Sequence, residues 1–284
     1  MTKLIALVDG SVYSESVCDH AAWIAGRTGA TVELLHVLGR RETASAPANL
    51  SGNITLGART ALLEELSALD EQRAKLAQRR GRAILEDAEA RLAADGSAGV
   101  SSKLRIGDVV ETVAEWEAEA AMIVVGKRGE AADFARLHLG SNLERVIRSS
   151  HKPVFVAARA FRPIRRFLIA YDGGTSAMKA VDHIARSDLF AGLECRLITA
   201  GADSPENRKR LDDAKALLEA GGYRVDAAIL PGQPETAIAQ AVESEGIDLL
   251  VMGAYGHSRI RSLIIGSTTT EMIRSCKVPV VLFR

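Results

Sequence analysis

Along the chain, short runs of β-branched and aliphatic residues alternate with longer stretches whose apolar positions recur at helical spacing. Such alternation marks βα units, and short apolar runs bounded by turn residues read as strands of a parallel sheet covered on both faces. In the second half the pattern predicts strands over 166–171, 194–200, 224–230, 248–252 and 279–283, with helices near 175–188, 205–221, 234–245 and 267–275. Five strands joined by four crossovers make a doubly wound, flavodoxin-like (Rossmann-like) α/β layer, whose ligands lie beyond the carboxyl ends of the strands where the strand order reverses. Asp172 and Gly253 both fall at predicted strand ends, so residues distant in sequence are expected to flank one crevice.

The pattern occurs twice. KLIALVDGSVYSESVCDHAAWIAG, from Lys3, aligns with RFLIAYDGGTSAMKAVDHIARSD, from Arg166, with Asp9 and Asp172 at an offset of 163 residues and Asp19-His20 matching Asp182-His183. Further on, AMIVVGKRGEAADFARLHLGSNLERVIRSSHKPVFV aligns with DLLVMGAYGHSRIRSLIIGSTTTEMIRSCKVPVVLF, pairing Gly126 with Gly253 and Pro153 with Pro279. A repeat of this length implies two tandem parallel-sheet domains, 1–160 and 161–284, arranged as a pseudo-dimer. The copies differ in one place: Val37 to Gly107 spans 70 positions where Ala200 to Gly232 spans 32, which puts an insertion at about 39–75. It begins GRRETASAPANLSGNITLG, small and polar, and reads as an exposed loop. The following stretch carries Leu62, Leu66, Leu69, Leu76, Ile84, Leu85 and Leu92 near helical spacing. Part of it replaces the ordinary second helix. The surplus is expected to be a solvent-facing helical extension, with a cover over the first crevice or a contact with a partner as the alternatives.

Composition narrows the function classes. With 36 basic and 36 acidic side chains there is no overall positive field to gather nucleic acid or anionic lipid. The start MTKLIALVDG lacks signal-peptide form, and no apolar stretch is long enough to span a bilayer, so a cytoplasmic protein bound to neither membrane nor nucleic acid is expected. Cys18, Cys195 and Cys276 are too scattered for a disulfide framework or a zinc pattern and are expected to be small buried residues.

The candidate chemistry sits in GAYGHSRIRSLIIGSTTT, where Gly253, Gly256 and Gly266 precede the hydroxyl residues Ser267, Thr268, Thr269 and Thr270. Glycine allows positive φ and lets a ligand touch bare backbone. A strand ending at Met252 and a helix starting near Ser267 would aim unpaired helix-start amides into the crevice, an arrangement that attracts phosphate. Each charged hydrogen bond adds about 1.5–3 kcal/mol gross and the helix dipole about 0.3–1 more, less the entropy of immobilising the ligand. The plain alternative is a Gly-rich turn followed by a Ser N-cap.

At this point the residues resemble a known family, the tandem universal stress proteins. Its ATP-binding variety carries G-x2-G-x9-G-[ST], which Gly253, Gly256, Gly266 and Ser267 fit, with Asp172 matching the first-strand Asp. The resemblance implies that Ala170, Tyr171, Asp172 and Ala200 surround the adenine, Met252 and Gly253 the base and ribose, and Gly256, Gly266, Ser267, Thr268 and Thr269 the phosphates. His257, beside Gly256, is a further candidate for phosphate. The implied cofactor is ATP, accompanied by Mg²⁺ if it is hydrolysed, and the implied role is that of a nucleotide-dependent stress-response regulator with at most weak ATPase activity. Copy one departs from the motif: ten residues separate Gly129 from Gly140 rather than nine, Glu130 and Asp133 enter the loop, and Asn142 replaces Thr268. Carboxylates beside a phosphate site oppose an anion unless Lys127, Arg128 and Arg136 or a metal neutralise them. A weaker or different second site is therefore drawn from Asp9, Val37, Gly126, Gly129, Gly140 and Ser141.

Two other readings stand beside this one: a pseudo-dimeric scaffold without nucleotide, joined through the last strands PVFVAARA and PVVLFR, and an enzyme of the wider adenine-nucleotide α-hydrolase-like class. Unknown protein partners, and a monomeric pseudo-dimer or a homodimer, fit any of them. His20 and His183 are expected to be surface or partly packed residues, Trp23 and Trp116 core or interface fillers, and Glu64-Glu65 and Arg79-Arg80 solvated helix faces. No catalytic triad and no metal-ligand cluster can be assembled from spacing alone.

Overall fold

The computed structural model describes residues 2–39, 56–97, 99–129, 141–254 and 267–284, without the side chains of 56–59, 61, 141, 267 and 268. In the first half, β1 (Lys3–Leu7), α1 (Ser14–Thr28), β2 (Thr31–Leu38), α2 (Leu56–Ala94), β3 (Val100–Ile106), α3 (Val109–Trp116), β4 (Ala120–Gly126), α4 (Ser141–Ser149) and β5 (Val154–Ala157) follow in order. The second half repeats them as β6 (Arg166–Ala170), α5 (Thr175–Ala185), β7 (Glu194–Ala200), α6 (Pro205–Ala220), β8 (Val225–Leu230), α7 (Pro234–Ser244), β9 (Leu249–Gly253), α8 (Ser267–Ser275) and β10 (Val280–Phe283). Each expected strand of the second half forms at nearly its expected boundaries.

All ten strands lie in one sheet, ordered β3-β2-β1-β4-β5-β10-β9-β6-β7-β8. Neighbours run parallel within each half, and β5 meets β10 antiparallel with Phe155 opposite Val281. The last strands of the two copies thus make the joint between them. Interior strands such as VFVA and VVLF are buried at every position, as apolar runs covered on both faces must be. The edge strand β3, VSSKLRI, is half-buried or exposed throughout and carries Lys103 and Arg105, charges that discourage further edge pairing.

One apolar layer crosses both halves on a single face, joining Val17 and Ile24 of α1, Leu85 and Leu92 of α2, Phe155, Phe167, Val181 of α5, and Leu211 and Leu218 of α6. The opposite face is covered by Leu143 and Ile147 of α4, Ile238 and Val242 of α7, and Met272 and Ile273 of α8. Polar contacts also cross the joint. Arg27 donates to the carbonyls of Leu189 and Ala191, Ser16 Oγ to Ala158 O at 2.8 Å, Lys127 Nζ to the Cys276 carbonyl just beyond α8, and Arg284 to the Arg148 carbonyl in the last turn of α4. Desolvation pushes the half-buried Lys127 ammonium down to about 8. All three cysteines are free and buried, as expected.

One expectation needs correcting. His20 is neither a surface nor a partly packed residue: it is 0% exposed, because α1 lies on β5 and the ring is enclosed by Phe155 and Phe161, both at 5.1 Å. The helical part of the insertion extends the second helix, as expected, and forms the front of one continuous 39-residue rod, α2. Its internal Gly81 does not break it, and a Cβ there would fall 2.7 Å from Leu104 Cδ1 and 2.9 Å from His36 Cδ2, so close packing rather than flexibility explains that glycine. The polar loop expected before α2 lies outside the described residues from 40 to 55.

Candidate functional site

In the second half the strand order reverses between β6 and β9, which pair Ala170 with Met252. The carboxyl ends of these strands therefore carry the expected residues to one place. Ala170 ends β6, Tyr171 and Asp172 follow it, Met252 and Gly253 end β9, and Ala200 ends the neighbouring β7. Tyr171 is held by its amide, which donates to Ile198 O at 2.8 Å, and by its carbonyl, which accepts from Thr199 Oγ1 at 2.9 Å. Its hydroxyl lies 2.8 Å from Met178 Sδ, and burial raises its pKa above the usual value. Asp172 is exposed, and its Oδ1 accepts from the Gly174 amide at 2.8 Å, a turn that leads the chain into α5.

Gly253 has a role that spacing alone did not indicate. A Cβ at this position would fall 2.9 Å from Ala177 N and 3.0 Å from Ser176 Cβ, so the missing side chain admits the first turn of α5 against the end of β9. Ser267 and Thr268 open α8, and Thr269 is buried in its first turn. Gly256, His257 and Gly266 lie outside the described residues. Arg210, absent from the expected set, reaches over Gly173 at the crevice edge and pairs with Glu206 at 2.6 Å. The signal for it was the alignment of α6 with the back of α2, since Leu211, Ala214 and Leu218 match Leu85, Ala88 and Leu92 at a constant offset of 126.

The first half has the same reversal between β1 and β4, with Leu7 opposite Val125. Asp9 follows β1, Val37 is half-buried in β2, Gly126 ends β4, and Gly129 lies against the Asp9 carboxylate, whose Oδ2 would be 2.8 Å from a Cβ there. Asp9 also accepts from Ser11 N at 3.0 Å and Ser14 Oγ at 3.2 Å. Ser141 opens α4, and Gly140 lies outside the described residues. What distinguishes this crevice is its roof. Helix α2 overhangs it, Ile84 fills the space above Gly10, and a cavity of about 290 Å³ remains between Asp9, His36 and Leu38 below and Arg73, Leu76, Ala77 and Arg80 above. Covering the first crevice, one of the alternatives for the insertion, is thus part of what α2 does. His36 is oriented by Nδ1, 2.7 Å from the Val8 carbonyl.

Among the described residues no group of three or more His, Cys, Asp or Glu side chains could hold a metal, and no helix is long and apolar enough to cross a membrane. A doubly wound sheet duplicated in one chain, fused through its last strands, defines a tandem flavodoxin-like α/β protein with two crevices at corresponding strand ends. Comparison with known proteins agrees. The universal stress protein family model matches residues 1–158 and again 163–284. Universal stress protein Slr1230 of Synechocystis sp. (strain ATCC 27184 / PCC 6803 / Kazusa) is 37% identical over 287 residues, covering 100% of both chains. A universal stress protein from Archaeoglobus fulgidus DSM 4304, solved by crystallography, shares the fold at a TM-score of 0.73 and 20% identity, covering 99% of this chain and 98% of that one. A universal stress protein solved in complex with cAMP aligns over 43% of this chain and 98% of its own at 22% identity and a TM-score of 0.38. The chain belongs to the universal stress protein family, in its tandem form.

Proposed function

We propose that the second half, taken as a domain spanning 161–284, binds an adenine nucleotide, ATP first of all, and that occupancy sets the surface this cytoplasmic protein offers to partners during a stress response. The observation that carries the reading is the convergence of Tyr171, Asp172, Met252 and Gly253 at the strand-order reversal, on the chain that leads through G-x2-G-x9-G-S to the start of α8. In this reading Ala170, Tyr171, Asp172 and Ala200 hold the adenine, and Met252 and Gly253 border base and ribose. Gly256, Gly266, Ser267, Thr268 and Thr269, with His257 beside them, receive the phosphates, chiefly through backbone amides at a helix start. An Mg²⁺ would arrive on the phosphates, since the described residues offer no carboxylate cluster for it. The nucleotide supplies charge and shape for a switch; any hydrolysis is slow, because the sequence of the glycine loop offers no residue with an obvious claim to orient water.

Native mass spectrometry of protein purified without added ligand tests the reading, since bound mass reports both the identity and the number of ligands. Gly256→Val should put a side chain where ribose and first phosphate sit and weaken ATP at least tenfold by calorimetry. Undiminished affinity in a folded Gly256→Val variant would remove the site assignment.

The scaffold reading has an observation in its favour. Gly253 is already required by its packing on Ala177 and Ser176, and the β5–β10 joint pairs Val154, Phe155 and Val156 with Leu282, Val281 and Val280, none of them a candidate nucleotide residue. Absence of adenine absorbance in the purified protein together with no ATP uptake in equilibrium dialysis would select it.

A further inference from the structure

We propose that the first crevice binds a small, uncharged, largely apolar molecule with one N–H or O–H donor, held beneath α2 by the Nε2 lone pair of His36. The inference is independent of the nucleotide reading of the second half. The two crevices are built alike, and the side chains that differ at matched positions define what each can hold. Ile84 stands where the second half has Arg210, at the constant offset of 126, and its Cδ1 would lie 2.8 Å from a Cβ at Gly10. A hydrocarbon side chain thus replaces a guanidinium over the glycine beyond the first strand.

The second difference is His36, which matches Thr199 at the offset of 163. Each side chain donates to the carbonyl just past its neighbouring strand, Thr199 Oγ1 to Tyr171 O at 2.9 Å and His36 Nδ1 to Val8 O at 2.7 Å. The hydroxyl has no second hydrogen to give or ring atom to offer. The imidazole does: with its proton on Nδ1, the neutral ring presents Nε2 as an acceptor. His36 is 5% exposed, it lines the cavity, and Nε2 has no hydrogen-bond partner among the described residues. Gly81 in the roof makes room for this edge of the ring, since a Cβ there would fall 3.3 Å from Nε2. An enclosed acceptor without a donor is unfavourable, and a ligand N–H or O–H would satisfy it.

The space itself fixes size and polarity. At about 290 Å³ it lies at the low end of the roughly 300–1,000 Å³ of small-molecule sites. Leu38, Leu76, Ala77 and Ile84 give it apolar walls, and Leu76, 68% exposed, holds an apolar side chain in solvent at its border. Asp9, Arg73 and Arg80 also border the cavity, but each already interacts within the chain, so none of them calls for a charged ligand. What is left for a ligand is hydrocarbon surface and one acceptor.

Indole and indene test this on the full chain, two molecules of one shape that differ by an N–H donor. Calorimetry should show one equivalent of indole bound and indene about tenfold weaker. His36→Thr introduces the residue of the second half and keeps a donor for the Val8 carbonyl; it should weaken indole by a similar factor and erase its preference over indene. Ala77→Phe, which fills the cavity from its roof, should abolish binding of both, with thermal unfolding of each variant checking that it folds. Excess ATP should leave indole binding unchanged. The proposal is overturned if the natural chain takes up no indole, if a folded Ala77→Phe variant binds it undiminished, or if the preference over indene survives His36→Thr. Competition by ATP overturns it too, because indole would then lie where a nucleotide goes.

Discussion

Replacing His20 should remove a defined part of this protein's sensitivity to acid. The ring lies between Phe155 and Phe161, its Nδ1 is 2.6 Å from the Ser16 carbonyl, and its Nε2 is buried with no hydrogen-bond partner. The first contact needs a proton on Nδ1; a second proton would have to go on Nε2, where no acceptor waits, and would put a charge among phenyl rings. Burial accordingly lowers the pKa from 6.5 to about 4, outweighing the Ser16 carbonyl and the nearby Asp19 carboxylate, which pull upward. In the unfolded chain the imidazole takes up its proton near 6.5, so between about pH 6.5 and 4 the unfolded state binds more protons and stability falls as pH falls. The contribution is complete above 6.5. At 1.36 kcal/mol per pKa unit the loss is about 2–3 kcal/mol by pH 4.5 and reaches about 3 kcal/mol at pH 4. Urea unfolding followed by circular dichroism, for the natural chain and for His20→Leu, isolates this group because other titrations are common to both. The natural chain should lose about 2–3 kcal/mol more than the variant between pH 7.5 and 4.5. Parallel pH curves for the two proteins would refute the reasoning.

Gly253→Val should lower the melting temperature with no nucleotide present, by an amount equivalent to about 1–3 kcal/mol of overpacking, because its Cβ would press on Ala177 N and Ser176; an unchanged melting temperature would return Gly253 to a purely ligand-facing role. Asp108→Ala should cost about 1 kcal/mol by urea unfolding at neutral pH, since the carboxylate caps α3 through Val110 N at 2.9 Å and Glu111 N at 3.3 Å and pairs with Arg145 at 2.8 Å. The Arg145 contact is the leading cause of its lowered pKa, so this contribution is present above the ordinary aspartate range and lost as pH falls through the folded value.

The fold was legible wherever burial on both faces forces a continuous apolar run. LLVM and VVLF announce β9 and β10 because no polar residue can be tolerated there, and the repeat then set the strand order of both halves. What spacing could not convey was tertiary enclosure. His20 is polar and sits at the same offset as His183, yet the first ring is wholly buried while the second is half-buried, a difference made by Phe161, from the segment between the copies. Gly253 stands at the position a nucleotide motif requires, but the same absence of a side chain is demanded by Ala177 behind it. One residue can satisfy both constraints, and sequence spacing shows only that glycine is there. The close packing of Gly81 was similarly hidden, because an isolated helical glycine reads as a weak point until His36 and Leu104 are found against it.

Duplication gave this chain two crevices built alike, and the insertion separates what they can do. In the second half α6 begins at Pro205, and among the described residues it is the Arg210 side chain that reaches over Gly173. In the first half the equivalent helix runs on past that point, Ile84 takes the place of Arg210 against Gly10, and the lengthened rod adds Arg73, Leu76, Ala77 and Arg80 as a ceiling. A ligand of the first crevice must therefore fit in the space left beneath that rod.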